Sequence, residues 1–399
     1  MKQVVCPYCF EKFKRSEVLF RCSNQSRCKE EDDYEMKEFW KEQFKGNPVI
    51  TPKNFIGKLL NIMPKSAKCD KCSSETTKTI CPHCHNELPR EMVESGGLII
   101  SIIGARSSGK TNYITTLINE LKHKGHLINL GIYDTGVGRK PEEYTTARYK
   151  TDFYEKLYKN KECHSQTAVD DKRSKIPLIY KLFSTNKKDQ AYLVLYDTAG
   201  ENFNDTKAIE KNVKFLKNSD GIILLLDTFC ISNVHEKLQS KLRLDPIEKN
   251  SEYDSIINNV IKHFDDQLNK KQFYAKPLAL TFSKIDAIVK NEELFGDARL
   301  PNITMNANSQ FLDGDGYSLD DMGSINQGIQ DGLYSWDEGQ FIESINSPTH
   351  FNKKATFFGI SALGDMPVGG TIKNLKPYRV MDPLIWILYK LNFPLLIKK

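Results

Sequence analysis

One stretch of the chain combines glycine, lysine and threonine at the spacing of a phosphate-binding loop. Gly104, Gly109, Lys110 and Thr111 satisfy the pattern G-x-x-x-x-G-K-[ST]. Glycine lets the backbone approach a phosphate closely, and the start of the following helix favours an anion. The lysine of such a loop reaches the β- and γ-phosphates, which makes Lys110 a candidate catalytic residue, and the Thr111 hydroxyl can ligate Mg²⁺. The predicted nucleotide-binding residues of this stretch are Gly104, Ala105, Arg106, Ser107, Ser108, Gly109, Lys110, Thr111 and Asn112.

A second group of residues with metal chemistry lies near the start of the chain. Eight of the ten cysteines fall in the first 84 residues, and six of those eight form C-x-x-C pairs. Such a pair turns two thiolates onto one Zn²⁺, and a closed structural zinc site takes four ligands. Since no export signal precedes them, metal binding in a reducing cytoplasm is favoured over disulfides. We therefore predict two structural Zn²⁺ sites, made by Cys6, Cys9, Cys22, Cys28, Cys69, Cys72, Cys81 and Cys84.

The spacing leaves open which cysteines share a metal. A sequential arrangement groups Cys6, Cys9, Cys22 and Cys28 at one ion and the remaining four cysteines at the other. A nested arrangement instead joins the first and last pairs, Cys6, Cys9, Cys81 and Cys84, and leaves the four middle cysteines for the second ion. His83 and His85 are able to replace a thiolate, although the cysteine count does not require it.

Composition and charge limit the class of protein. The 399 residues carry a formal net charge of +6, which permits an acidic partner but does not by itself indicate nucleic-acid binding. No run approaches the roughly 18 apolar residues of a membrane span. We expect a cytoplasmic protein without a transmembrane segment. Protein partners are expected to contact its two cysteine-rich zinc sites (the zinc ribbons) and the segments that would respond to a bound nucleotide (the switch regions). Nucleic-acid binding by the zinc ribbons is the less favoured alternative.

Hydrophobic patterns predict the elements that position the loop. An aliphatic run, Leu98–Ile103, is expected to be a buried strand, and the residues from Thr111 to Leu121 have apolar side chains at helical spacing. Further strands are predicted at 127–133, 176–183, 191–196, 221–227, 277–282 and 355–360, and further helices at 142–160, 251–272, 335–345 and 384–396. Continuous aliphatic strands such as Gly221–Asp227 are typical of a parallel sheet covered on both faces.

The pattern as a whole predicts an α/β fold of the P-loop type, with three layers and a mostly parallel sheet. This domain is expected to span 96–399, with insertions at about 127–160 and 287–354, of which 302–323 is predicted to be a loop. A zinc-binding region at 1–95 precedes it and includes an extended linker at 45–66.

A second phosphate motif follows the strand at 191–196. Asp197-Thr-Ala-Gly200 places an aspartate at the carboxyl end of a buried strand, where nucleoside triphosphatases hold Mg²⁺ or its water. The N–H of Gly200 is predicted to approach the γ-phosphate. Asp227, at the end of the next strand, is interpreted as a strand-end residue and not as a ligand.

With Ser283-Lys-Ile-Asp286 and Ser361-Ala-Leu363, these motifs resemble the TRAFAC-class GTPases, the translation-factor and Ras-like branch of the P-loop fold. The resemblance implies that Asp286 accepts the N1 and N2 hydrogens of guanine and that Lys284 packs over the ring. It also implies that the Ser361–Ala362 turn gives a backbone N–H to the guanine O6. The zinc ribbons, Tyr196–Glu201 and Asp382–Trp386 resemble, more narrowly, the double-GTPase family proposed for bacterial conflict systems.

The resemblance also implies roles at the phosphate end. A switch threonine is expected before the strand near Ile176; Thr167 is the first choice, with Thr145 and Thr146 as reserves, and it would ligate Mg²⁺ together with Thr111 and Asp197. The implied catalytic residues are Lys110, Thr167, Gly200 and Glu201.

Three departures from the class pattern affect those roles. Glu201 replaces a water-orienting glutamine, so slow hydrolysis is expected. Arg106 replaces a small residue and faces either solvent or the phosphates. Ser283 replaces Asn or Thr, which shortens a contact to the phosphate loop.

The sequence therefore predicts a guanine-nucleotide switch. It would bind GTP and GDP with Mg²⁺, hydrolyse GTP slowly, and use its zinc ribbons to dock partners. Two alternatives stay open: a nucleic-acid-associated NTPase whose ribbons bind RNA or DNA, and a catalytically inactive nucleotide-binding scaffold.

Overall fold

The computed structural model describes residues 3–53, 57, 60–104, 107–164, 176–184, 190–196, 216–244, 270–296, 300, 316–352 and 354–398. Several predicted site residues lie outside these ranges: Ala105, Arg106, Thr167, Asp197, Gly200 and Glu201. Most of the helix predicted at 251–272 lies outside them as well.

A seven-stranded sheet forms the centre of the larger domain. Its strands are β10 (Leu98–Gly104), β11 (Leu130–Asp134), β12 (Leu178–Ser184), β13 (Gln190–Leu195), β14 (Gly221–Asp227), β15 (Leu278–Ser283) and β17 (Ala355–Gly359). The order across the sheet is β11-β12-β13-β10-β14-β15-β17. Neighbouring strands from β13 to β17 pair in parallel, whereas β12 runs antiparallel to both of its neighbours. The predicted α/β fold with a mostly parallel sheet is confirmed.

The central strands are buried on both faces, as their continuous aliphatic sequences predict. Every residue of β14 is buried. Its alternate side chains join two different apolar clusters: Ile222, Leu224 and Leu226 on one side, and Ile223 and Leu225 on the other. The sheet therefore has an apolar layer on each of its two faces.

Helices of the larger domain cover those two faces. They are α3 (Lys110–Lys124), α4 (Thr145–Arg148, continued by a π-helix at Tyr149–Lys159), α5 (Ser232–Leu242), α6 (Lys270–Tyr274), α7 (Asp286–Val289), α8 (Leu319–Ser335), α9 (Gly339–Asn346) and α10 (Asp382–Lys390). Short 3₁₀ turns lie at Gly125–Ile128, Pro141–Glu143, Thr228–Cys230 and Glu292–Leu294. Within the described part of the chain, no helix has both the length and the apolar character that a membrane crossing requires.

One helix corrects the sequence interpretation. The segment 302–323 was expected to be a loop, but β16 (Tyr317–Ser318) and the start of α8 lie in its described part. The Ser318 hydroxyl caps α8 by accepting from the N–H of Asp321 at 3.2 Å. The buried residues Met322, Ile325 and Ile329 then follow at helical spacing. The cap and the spacing were both present in the sequence.

The N-terminal region is built from much shorter elements. Its strands are β1 (Gln3–Val5), β2 (Lys12–Lys14), β3 (Leu19–Arg21), β4 (Glu31–Asp32), β5 (Lys45–Gly46), β6 (Val49–Ile50), β7 (Ala67–Lys68), β8 (Glu75–Thr76) and β9 (Thr79–Ile80). Its described helices include α1 (Tyr34–Trp40), α2 (Arg90–Ser95) and a 3₁₀ turn at Arg15–Glu17. The predicted linker at 45–66 contributes β5 and β6, which pair with β4 and β3, so its first residues belong to the folded region.

Candidate nucleotide site and cysteine clusters

The motifs of the larger domain meet at one edge of the sheet. Gly104 at the end of β10 is in register with Leu225 of β14, and Asp227 at the end of β14 is in register with Ser283 of β15. Phe282 pairs with Gly359, two residues before the Ser361 turn. Because these strands are parallel, the loops that follow them all leave at the carboxyl edge, where open α/β sheets bind their ligands.

The phosphate loop has the backbone of an anion cradle in its described part. Ser107 and Gly109 both have positive φ angles, 62° and 72°. A side chain on Gly104 would lie 2.6 Å from the Ser108 Oγ, so glycine is required for this close approach. The Ser108 hydroxyl is buried and has no hydrogen-bond partner in the described structure. A phosphate oxygen would satisfy such a group, so the loop fits the predicted ligand.

The helix after the loop is also tied to the segment that precedes the predicted switch threonine. Lys110 and Asn112 are both buried. The Asn112 side-chain oxygen accepts a hydrogen bond from the N–H of His164 at 3.1 Å, and the His164 Nε2 lies 3.3 Å from the Thr115 hydroxyl. Asn112, which the sequence assigned to nucleotide binding, therefore holds residue 164 against α3. Nothing in the local sequence indicated this contact.

The two reserve switch threonines have different surroundings. Thr145 is buried and its hydroxyl accepts from the N–H of Ile179 at 2.9 Å, so it joins α4 to β12. Thr146 beside it is exposed. The Thr145 hydroxyl is engaged in this contact between elements, and Thr167 and Thr146 stay predictions for the switch position.

The predicted base-reading residues form a buried polar pair. Asp286 is 3% exposed, and the Ser361 side chain lies close enough to lower the pKa of its carboxyl group. The Ser361 hydroxyl accepts from the N–H of Gly364 at 2.7 Å, which fixes the turn that contains Ala362. Burial raises the pKa of Asp286, against the opposing effects of Ser361 and the Lys290 charge. A buried carboxylate with few partners is suited to accept hydrogen bonds from a ligand.

Lys284 is held in place by residues that the sequence did not connect with it. Its Nζ lies 2.7 Å from the Asp227 Oδ2 and 4.8 Å from the centre of the Phe229 ring. Asp227 also accepts from the N–H of Phe229 at 3.0 Å. The φ of Lys284 is +60°, a strained conformation for a residue with a side chain. Asp227 thus positions the lysine, a role that depends on the register of two strands far apart in sequence.

Ser283 makes a contact other than the predicted one. Its hydroxyl donates to the carbonyl of Leu226 at 3.1 Å, and its own carbonyl accepts from the Thr228 hydroxyl. Among the described residues, then, this side chain joins β15 to β14. The expected contact to the phosphate loop, of which residues 105 and 106 lie outside the described ranges, stays a prediction.

The eight N-terminal cysteines form two clusters with the nested pairing. One cluster contains Cys6, Cys9, Cys81 and Cys84, and the other contains Cys22, Cys28, Cys69 and Cys72. None of the eight forms a disulfide. Sulfur–sulfur distances are 3.7 and 3.8 Å in the first cluster and 3.6, 3.6 and 3.7 Å in the second.

These distances test whether a metal fits. Sulfurs placed tetrahedrally about 2.3 Å from a Zn²⁺ ion are about 3.8 Å apart. Both clusters therefore have the dimensions of a closed Zn²⁺ site. Neither needs a histidine: His85 hydrogen-bonds to Asp33 instead, with its Nδ1 2.8 Å from the Asp33 Oδ1.

A buried ion pair lies beside the first cluster. Arg21 contacts the Asp33 carboxylate at 2.5 Å, and Asp33 also caps α1 by accepting from the N–H of Met36. Burial works against the charged form of Asp33, but the hydrogen bonds from His85 and Arg21 outweigh it and hold the pKa of this carboxyl well below its usual range. These contacts connect β3, α1 and the loop at His85 into one unit.

Comparisons with known proteins agree with this geometry. The family model described as Double-GTPase 2 matches residues 98–321, more than half of the chain. A relative from Mycolicibacterium smegmatis, named "Putative ESX-1 scaffolding and assembly protein SaeC", is 23% identical over 337 residues, which are 81% of this chain and 83% of that protein.

Two solved structures are similar at low identity. The S. cerevisiae Ski7 GTPase-like domain bound to GTP is 12% identical, with a TM-score of 0.34, over 74% of this chain and 50% of that chain. A crystal structure of a protein from Thermus thermophilus is 11% identical, with a TM-score of 0.27, over 73% of this chain and 39% of that chain. The chain spans half or less of the length of these two solved chains.

Proposed function

The chain belongs to the Double-GTPase 2 family, and from that membership we propose that it is a guanine-nucleotide switch that binds Mg²⁺·GTP and hydrolyses it slowly. The observation that carries the guanine assignment is the buried pair of Asp286 and Ser361 at the sheet edge that also holds the phosphate loop.

The proposed base contacts follow from the chemistry of this pair. A guanine would give its N1 and N2 hydrogens to the Asp286 carboxylate and would accept at O6 from the backbone near Ala362. Lys284, held by Asp227 at 2.7 Å, would pack along the ring. Adenine lacks the N2 amine and the O6, so it would leave a buried carboxylate without its partners, which disfavours ATP.

At the phosphate end, Lys110 and the N–H groups from Ser107 to Thr111 would hold the β- and γ-phosphates. Thr111, Thr167 and Asp197 are the proposed ligands of Mg²⁺, which neutralises phosphate charge when bound. Gly200 would offer its N–H to the γ-phosphate. Glu201 would accept a hydrogen bond from water, but its charge repels the γ-phosphate, so turnover is expected to be slow.

The experiment that tests the guanine assignment replaces one hydrogen-bond-accepting oxygen of the Asp286 carboxylate with a hydrogen-bond donor. Asp286→Asn should weaken GTP binding by at least about 100-fold, because the amide cannot accept two hydrogen bonds from guanine. It should strengthen binding of xanthosine triphosphate, which carries a carbonyl in place of the 2-amino group. Asp365→Asn is the matched control, since Asp365 lies in the neighbouring loop, where its carboxylate contacts the Lys290 Nζ and the N–H of Met366, both at 2.9 Å. Equal affinity of the wild-type protein for ATP and GTP would overturn the assignment.

We also propose that each four-cysteine cluster binds a structural Zn²⁺ ion. Support comes from the sulfur spacing and from the burial of six of the eight thiols. Metal analysis of the purified full-length chain should give two zinc ions per chain, one for each cluster. One ion per chain, or iron in place of zinc, would contradict this part of the proposal.

A second candidate function is a nucleotide-regulated scaffold. The relative from M. smegmatis is named for scaffolding and assembly, and its similarity covers most of both chains. In this second function the protein docks partners through its zinc region and switch surfaces, in the cytoplasm and, as the family resemblance suggests, within a bacterial conflict system.

Single-turnover phosphate release separates the two functions. A switch that hydrolyses GTP releases phosphate at long times, and Glu201→Ala changes the rate. A scaffold without turnover binds GTP, but neither the wild-type protein nor Glu201→Ala releases phosphate.

A further inference from the structure

The first cysteine cluster is in direct contact with the strand that leads to the predicted Mg²⁺ aspartate. Tyr196 follows β13 and immediately precedes Asp197 in the chain. It is buried, and its hydroxyl donates to the carbonyl of Pro7, with the carbonyl of Tyr8 at 3.4 Å. Its ring packs edge-on against Phe10, with 5.4 Å between the ring centres.

The loop at residues 7–10 also contacts a second segment of the larger domain. The Asn218 side chain donates to the carbonyl of Phe10 at 2.6 Å. Lys276 fixes the chain next to it, because its Nζ donates to the carbonyls of Leu216 at 2.8 Å and Lys217 at 2.6 Å. Residues 7–10 are thus hydrogen-bonded to Tyr196 and to Asn218, the residues that flank the chain segment carrying the second phosphate motif.

The shape of residues 7–10 depends on the cluster itself. Cys6 and Cys9 enclose Pro7 and Tyr8, and the N–H of Tyr8 points to the Cys6 sulfur at 3.4 Å. The N–H of Phe10 donates to the Cys6 carbonyl at 3.0 Å, and Phe10 has a φ of +61°. A metal shared by Cys6 and Cys9 would hold this turn closed, so the positions of the carbonyl groups that accept from Tyr196 would depend on metal occupancy of the cluster.

We propose that Tyr196 is a positioning residue that couples metal occupancy of the first cluster to nucleotide binding. The inference rests on the proposed function, because it assigns Asp197 to Mg²⁺·GTP. In the proposed function Mg²⁺·GTP contacts Asp197, which is the next residue in the chain after Tyr196, and Tyr196 is buried against the cluster loop. Linkage is reciprocal: if a bound metal raises the affinity for GTP by some factor, bound GTP raises the affinity of the first cluster for its metal by the same factor.

The second cluster supplies an internal control. The hydrogen bonds described around it stay within the N-terminal region: Asn24 donates to Ser74 at 2.8 Å, and the N–H of Cys22 donates to Pro48 at 3.0 Å. Its metal should therefore be indifferent to the nucleotide. Coupling is expected at Cys6, Cys9, Cys81 and Cys84 and not at Cys22, Cys28, Cys69 and Cys72.

The test follows zinc transfer from the full-length protein to the chelator 4-(2-pyridylazo)resorcinol, with Mg²⁺ and either GTPγS, GDP or no nucleotide. One of the two release phases should change between GTPγS and GDP by at least about fivefold, the lower range of allosteric coupling. Cys9→His and Cys72→His each keep four ligands and alter one cluster, so they assign the phases. The responsive phase should be the one that Cys9→His shifts.

Tyr196→Phe removes the hydroxyl and leaves the ring. The variant should keep both zinc ions, lose the nucleotide dependence of zinc release, and bind GTP about fivefold more weakly. Tyr192→Phe, a buried tyrosine on the same strand, is the matched control and should behave as wild type.

The outcomes separate the two ideas. If the protein binds GTP selectively but neither release phase responds and Tyr196→Phe equals its control, the coupling is wrong and the proposed function stands. If both phases respond equally, the effect does not pass through Tyr196 and the inference is overturned. If no guanine nucleotide binds, the proposed function fails and the coupling fails with it.

Discussion

The N-terminal region and the seven-stranded sheet are held together by different means. The strands of the sheet run for five to seven residues, and all seven residues of β14 are buried. The N-terminal strands have only two or three residues each, and the region contains eight cysteines in two clusters. Buried apolar area stabilises the sheet. Strands this short bury little apolar area, so the proposed metal coordination would make a larger contribution to stability in the N-terminal region than in the sheet.

Metal removal should give the largest difference between the two regions. A structural zinc site contributes an apparent binding free energy of about 10–16 kcal/mol, which in small domains is folding free energy. With a strong chelator, amides of β3, such as that of Phe20, should lose protection from hydrogen exchange, whereas amides of β14 keep theirs. Re-addition of Zn²⁺ should restore the protection of the β3 amides. Equal loss of protection in both regions would mean that the sheet also depends on the metal.

Each region contains a buried arginine–carboxylate pair, and their loss should differ in cost. Arg379 contacts Asp382 and Asp321, both at 2.6 Å, with its side chain 2% exposed. Arg379→Met removes the cationic partner of the Asp382 and Asp321 carboxylates and should lower the free energy of unfolding by about 3–5 kcal/mol. Arg21→Met should cost less, about 1–3 kcal/mol, because Asp33 keeps His85 and the N–H of Met36. Urea denaturation of the zinc-loaded proteins measures both.

The pH dependence of stability tests why Arg379→Met destabilises the larger domain. Burial raises the pKa of Asp382, and the Arg379 charge opposes that rise. Without the arginine, folded Asp382 should bind a proton more readily than unfolded Asp382, so stability falls as pH rises through that range. The deficit of Arg379→Met relative to wild type should therefore shrink as the pH is lowered. A deficit that does not change with pH would assign the loss to packing.

Truncation of a core side chain should affect the sheet alone. Leu193 on β13 is fully buried, and Leu193→Ala should lower the free energy of unfolding by about 2–5 kcal/mol through lost apolar burial and a residual cavity. Zinc content should stay unchanged. Leu60→Ala in the N-terminal region is the control: this side chain is 57% exposed, so its change should fall within about 0.5 kcal/mol. Zinc loss from Leu193→Ala would show that the two regions fold as one unit.

The same contrast explains what the sequence could predict. The aliphatic runs of β10 and β14 are local signals, and they predicted buried parallel strands correctly. The cysteine spacing predicted two four-ligand clusters, but the nested pairing joins residues 72 and 78 positions apart in the first cluster and 41 and 50 positions apart in the second, so it had no local signal. The contact of Asp227 with Lys284 likewise depends on strand register, and that of Tyr196 with Pro7 depends on how two regions pack. Chemistry within one loop is readable from spacing; chemistry between elements requires the fold.

The smallest expected effect concerns Ser283, where the fold and the family pattern point to different roles. Its hydroxyl donates to the Leu226 carbonyl at 3.1 Å, so Ser283→Ala should lower the free energy of unfolding by about 1 kcal/mol and leave GTP affinity nearly unchanged. Urea denaturation and nucleotide titration of the same preparation measure both quantities. A tenfold loss of GTP affinity with unchanged stability would assign the hydroxyl to the phosphate loop, as the resemblance implied. In that case nucleotide binding would have to release Ser283 from β14, and the sheet edge would differ between the free and the loaded protein.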